Sequence, residues 1–214
     1  MIQSGLPSPG KAPPVTSVLR STLAAALVAL SASARADASA APGEPPAERP
    51  ATLFGLSAGA GDGVMDYVRF DTPFSHERGG GLAIGLHAAR VLDREFALGL
   101  RGLVWQRAFN NDEGDDETWA FTLGAVVLTW RPGGGGLFVR AGPGWGRAEV
   151  ELDYGASKAV GADSGPAAVA ACGWTWRLGG GVELGPAVEW GAVRLEDDWR
   201  ADLRSLALEA TWRP

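Results

Sequence analysis

An alternation of bulky apolar with small or polar residues runs from Thr52 to Trp212, and it restricts the fold more than any other property of the chain. The stretch Arg204–Trp212 is its clearest instance. Leu206, Leu208, Ala210 and Trp212 take the even positions, and Ser205, Ala207, Glu209 and Thr211 the odd ones. A period of two sends these sets to opposite faces of a strand. Seven more stretches read the same way, at about 52–61, 81–92, 95–107, 118–131, 137–152, 166–178 and 182–195. The register of the fourth stays open, because its second half is apolar on both parities.

The connections alternate in length. Tight turns are expected at Asp93-Arg94, Pro132–Gly136 and Gly179–Gly181, and long loops over 62–80, 110–117, 153–165 and 196–201. Outer-membrane barrels alternate short periplasmic turns with longer external loops in this way. Strands of this length also satisfy the ~9–11 residues that cross a bilayer when tilted. The expected fold is all-β, an eight-stranded antiparallel up-and-down transmembrane β-barrel over residues 52–214.

A soluble barrel shows the same period, and the bulky face separates the two cases. Soluble barrels hide large apolar side chains inside. Here Leu, Val, Phe and Trp share one face, and the other is mainly Gly, Ala, Ser and Thr with a few charges. Light side chains suit a narrow lumen, so the heavy face is expected to meet hydrocarbon. Trp130, Trp176 and Trp212 should then form an aromatic belt at the turn end, with Trp119 and Trp199 at the loop end.

Residues 1–36 read as a signal peptide: Lys11 and Arg20 precede a short apolar core, Leu23–Leu30, and Ala34-Arg35-Ala36 supplies small residues for cleavage. Residues 37–51 are rich in Pro and Ala and are expected to form a disordered periplasmic tether. Residues 1–36 hold three basic residues and no carboxylate, so their removal takes the net charge from -6 to -9. That acidity disfavours nucleic acid. A single cysteine, Cys172, excludes an internal disulfide and a Cys-based zinc cluster.

Taken together, the leader, the alternating strands, phrases such as Leu137-Phe-Val-Arg-Ala-Gly-Pro-Gly-Trp-Gly146 and a closing aromatic strand resemble the small eight-stranded outer-membrane barrels. That group includes outer-membrane proteins A, X and W of Gram-negative bacteria, and the resemblance covers residues 52–214. It implies a place in the outer membrane and insertion by the barrel-assembly machinery. One departure stands out. The family usually ends on Phe or Trp, which that machinery reads, and here Arg213-Pro214 follow Trp212.

Six charged residues fall on the small-residue parity: Arg101, Arg140, Arg177, Glu183, Glu189 and Glu209. Enclosed together they must pair, so they are expected to form a salt-bridged network filling the lumen. The other reading of the same residues is a charged permeation path. His87 lies on the inward parity and His76 in the first long loop beside Ser75 and Glu77. Catalysis needs a base next to a nucleophile, and adjacent loop residues do not meet that need, so no catalytic set is assigned.

The segment 112–117 concentrates five carboxylates but lacks the spacing of a calcium loop. It reads as a solvated acidic loop. Gly142, Gly144 and Gly146 share one inward face and are expected to make room for a large neighbour such as Phe138 or to let the strand bend. No cofactor and no metal are expected. The reading is a structural or surface-interacting protein acting through acidic external loops, monomeric, with the lipid bilayer and lipopolysaccharide as partners. Its alternatives are a narrow channel for ions or small hydrophobic molecules and a lipid-modifying hydrolase.

Overall fold

A computed structural model describes residues 52–69, 72–110, 116–153, 158–195 and 200–213. The expected leader, the tether, Trp199 and most of the acidic segment lie outside them. The strands are β1 (Thr52–Arg69), β2 (Thr72–Val91), β3 (Phe96–Asn110), β4 (Asp116–Trp130), β5 (Leu137–Asp153), β6 (Lys158–Trp174), β7 (Trp176–Gly179), β8 (Val182–Arg194) and β9 (Arg200–Trp212). Every pairing is antiparallel. β1 joins β9, and β6 joins β8, so the sheet closes on itself.

β6 and β7 are two lengths of one wall strand, and the barrel is therefore eight-stranded. The ladder to β8 passes from Gly173↔Ala187 to Trp176↔Leu184, and Pro186 falls in the gap. Proline has no N–H to give a ladder. Thr175 turns its N–H instead to the Gly136 carbonyl, at 2.9 Å. The β4–β5 ladder skips in the same manner around Pro143, from Ala125↔Gly144 to Leu128↔Ala141.

The tight turns stand where the sequence places them. Asp93 Oδ1 accepts the N–H groups of Glu95 and Phe96 at 2.7 and 2.8 Å, which closes the β2–β3 turn. Gly179, Gly180 and Gly181 all have positive φ (102°, 60° and 77°), the region that an L side chain avoids. The expected long loops are shorter. β1 and β2 stay paired as far as Arg69↔Thr72, and β6 begins at Lys158. Backbone groups beyond the bilayer still gain by pairing, so a ladder carries on through segments whose composition reads as loop.

The surface is apolar in a belt and the lumen is filled. Leu82, Leu98, Leu100, Val188, Leu206 and Leu208 are 46–64% exposed, on the face directed away from the lumen. Among the described residues no helix is long and apolar enough to cross a membrane; a closed sheet satisfies its own backbone and can cross. Trp130, Trp176 and Trp212 are exposed at the turn end, as expected. Trp119 is not part of an outer belt. It is fully buried inside, and the exposed tryptophans nearer the loop end are Trp145 and Trp190. β4 settles on its odd parity inward, which carries Trp119, Phe121, Leu123 and Val127 into the lumen.

Candidate functional site

Two zones divide the lumen. The half toward the loops is apolar: Leu103, Trp105, Trp119, Phe121, Leu123, Val169, Val193 and Leu203 pack as one buried cluster. The half toward the turns holds the Arg–Glu network, although Glu117, which accepts from Trp119 Nε1, and Glu149, 3.0 Å from Arg147, are also buried toward the loop end. Two zones follow because inward positions at the turn ends of β3, β5, β8 and β9 are Arg or Glu, whereas farther along β3 and β4 they become Leu, Trp and Phe.

In the layer against the apolar cluster, Arg101 from β3 reaches across to Glu189 from β8. Its Nη2 also donates to Ser57 Oγ at 2.6 Å, and Ser57 donates to Glu189 Oε2 at 3.2 Å. Arg101 Nη1 lies 3.4 Å from His87 Nδ1. The neighbouring inward position on β2 is glycine, and a side chain there would crowd the guanidinium. A Cβ on Gly85 would stand 2.0 Å from Arg101 Nη2.

One layer toward the turns, Arg140 from β5 grips Glu209 from β9 with two bonds, Nη2 to Oε1 at 2.7 Å and Nη1 to Oε2 at 3.2 Å. This bidentate fork is the strongest geometry such a pair can take. Arg140 Nε donates to Thr129 Oγ1 at 3.3 Å, and Thr211 donates to Glu209 at 3.4 Å. His87 Nε2 stands 4.0 Å from Glu209. All four residues of the two pairs are at most 1% exposed.

At the mouth, Glu183 accepts from Arg131 and, at 3.2 Å, from Thr175 Oγ1. Arg177 and Arg213 stand 3.6 Å away on its other oxygen. Arg177 therefore differs from the other five predicted residues. Its side chain is 70% exposed and sits at the rim, because β7 ends two residues later and the parity has no lumen left to point into. Arg131 was missing from the sequence-based set; it follows the last residue of β4, whose parity was open. Its inward side chain lies two residues past Thr129.

The glycine expectation holds in part: Gly146 makes room for Val193, whose Cγ2 would stand 2.2 Å from an added Cβ, but Phe138 is not the neighbour. Gly142 and Gly144 lie against the β4 backbone, where a Cβ would come within 1.8 and 2.1 Å of the Val126 and Gly124 carbonyls. Phe138 lies over Gly173, where an added Cβ would come within 2.8 Å of its ring and 2.4 Å of the Pro186 carbonyl. His76 lies on β2, paired with Asp66 in the backbone register. Among the described residues no group of three or more His, Cys, Asp or Glu is arranged to hold a metal.

No family model and no curated protein matches the sequence. Solved structures match the fold. Ail, the attachment invasion locus protein of Yersinia pestis, superposes with a TM-score of 0.54 at 10% identity, over 75% of this chain and 99% of Ail, in its complex with the heparin analogue sucrose octasulfate. A second Ail structure gives 0.53 at 10% identity, over 75% of this chain and 98% of Ail. This chain has the fold of the small outer-membrane β-barrels. Neisserial surface protein A matches at 0.49 and 8% identity, over 75% of this chain and 97% of that one. A closed eight-stranded barrel with a hydrocarbon belt outside and ion pairs inside is a protein of the outer membrane.

Proposed function

We infer that the barrel is a closed scaffold and that its work is done at the membrane surface by the segments joining its strands at the loop end. The observation that carries this reading is the filling of the lumen. Arg101, Arg140, Glu189 and Glu209 are buried and mutually paired, and Trp105 and Trp119 are fully enclosed next to them. An ion entering would have to part bidentate charges and then cross a packed apolar layer, where a bare charge is costly. This favours the salt-bridged network over the permeation path.

The hydrolase alternative fares no better. Ser57 donates its hydrogen bond to Glu189, whereas His87 faces Arg101 and Glu209, so hydroxyl and base are directed apart in an enclosed space. The proposal keeps the protein a monomer in lipid, delivered by the barrel-assembly machinery, with lipopolysaccharide around its external rim. The test is single-channel recording on the purified protein in planar bilayers. A silent membrane is expected. Regular conductance steps that vanish with the protein would refute the closed scaffold.

A further inference from the structure

We propose that the turn-end mouth is a binding site for a phosphate group, formed by Arg177 and Arg213 over the Glu183 carboxylate. Three guanidiniums, those of Arg131, Arg177 and Arg213, surround that single buried carboxylate. The local sum is +2. Deeper in the lumen the pairs Arg101–Glu189 and Arg140–Glu209 are neutral and supply no counter-charge.

The other carboxylates of this end are already engaged. Asp93 closes its own turn, and Glu95 accepts from the Gly133 N–H at 3.0 Å and from Trp130 Nε1 at 3.3 Å. Arg90 and Arg94, exposed at the same end, offset these two. The excess at Glu183 therefore has no partner among the described residues.

The geometry is that of a held site. Arg177 Nη2 donates to the Gly134 carbonyl at 3.2 Å, which holds its guanidinium at the rim, and the Arg213 N–H donates to the Gly181 carbonyl at 2.9 Å, which fixes that residue at its backbone. Both stand 3.6 Å from Glu183 Oε1, beyond hydrogen-bond reach, and keep donors for another acceptor. The Nε atoms of Arg131 and Arg213 are buried without a partner. Arg131 is buried beneath the other two and holds Glu183 from the lumen side. Guanidinium forks match phosphate oxygens two at a time. The ligand class is a phosphate group at the membrane face, either the headgroup of an anionic phospholipid in the adjoining leaflet or a free phosphate.

The test uses the full chain in nanodiscs of mixed phosphatidylglycerol and phosphatidylcholine, with retained lipid read by native mass spectrometry. A second arm titrates the detergent-solubilised protein with inorganic phosphate and reads Tm. Wild type should retain phosphatidylglycerol preferentially. R177Q/R213Q should lose that preference by about 25-fold, from roughly fivefold for each arginine beside an anionic leaflet. E183Q, which raises the local charge, should strengthen it. R204Q, an exposed arginine at the loop end, should leave it unchanged. Each variant is checked for folding by its shift on unboiled gels. Phosphate raising Tm of wild type but not of R177Q/R213Q, without lipid preference, would support the same site with soluble phosphate as its source. Equal retention of both lipids with no effect of phosphate would overturn the proposal, as would a preference that R204Q lowers as much as R177Q/R213Q.

Discussion

Glu209→Ala is the most informative single change in the lumen. The carboxylate holds Arg140 through two charge-assisted hydrogen bonds, at 2.7 and 3.2 Å, and accepts a third bond from Thr211. Removing it leaves the Arg140 guanidinium, 1% exposed, with the Thr129 hydroxyl on its Nε. Hydrogen bonds to charged groups are worth about 1.5–3 kcal/mol each, so losing both costs about 3–6 kcal/mol. Breaking a buried pair from one side costs about 3–5 kcal/mol by independent measurements. The two routes agree on roughly 4 kcal/mol.

The assay is urea unfolding of the folded barrel in vesicles, followed by tryptophan fluorescence and by the unboiled gel shift. The double variant R140M/E209M should recover most of the loss, because an apolar pair of similar volume leaves no stranded charge. A cost for E209A below about 1 kcal/mol would mean that water reaches Arg140, and the filled lumen would be refuted with it. So would a double variant no more stable than the single one.

Two other changes probe the apolar half and the outer face. Trp105→Ala removes a fully buried indole, whose Nε1 donates to the Gly61 carbonyl at 3.1 Å, and should cost about 3–5 kcal/mol in the same unfolding assay. Leu208→Arg puts a charge on the exposed belt and should cost about 2–4 kcal/mol in lipid. Unchanged stability of L208R in vesicles would place that residue outside the hydrocarbon.

The strand alternation carried the fold, because a period of two is a local property that barrel closure only reinforces. Most of the wall strands could be given an inward face from their own residues. β4 could not: Val126 and Val127 are both apolar, and only its pairing with β3 and β5 selects the odd set. That one ambiguity hid Arg131, Phe121 and Trp119. It also hid the apolar half of the lumen, although Leu103 and Trp105 continue the inward parity of Arg101. The partners Arg101–Glu189 and Arg140–Glu209 could not be read from sequence. They depend on the stagger of strands 69 and 88 residues apart, which is fixed by the closed sheet as a whole. Arg177 shows the converse limit, since parity gives a direction and not the depth at which the wall ends.

Nitroxide labels placed singly from Ser205 to Leu208, with Cys172 replaced by alanine, report which side of β9 faces lipid. Collision with oxygen, which concentrates in hydrocarbon, should peak at Leu206 and Leu208 and fall at Ser205 and Ala207, while a water-soluble nickel complex should reach none of the four. Oxygen maxima at the odd positions, or nickel access at Leu206 and Leu208, would contradict the assignment of the heavy face to the membrane.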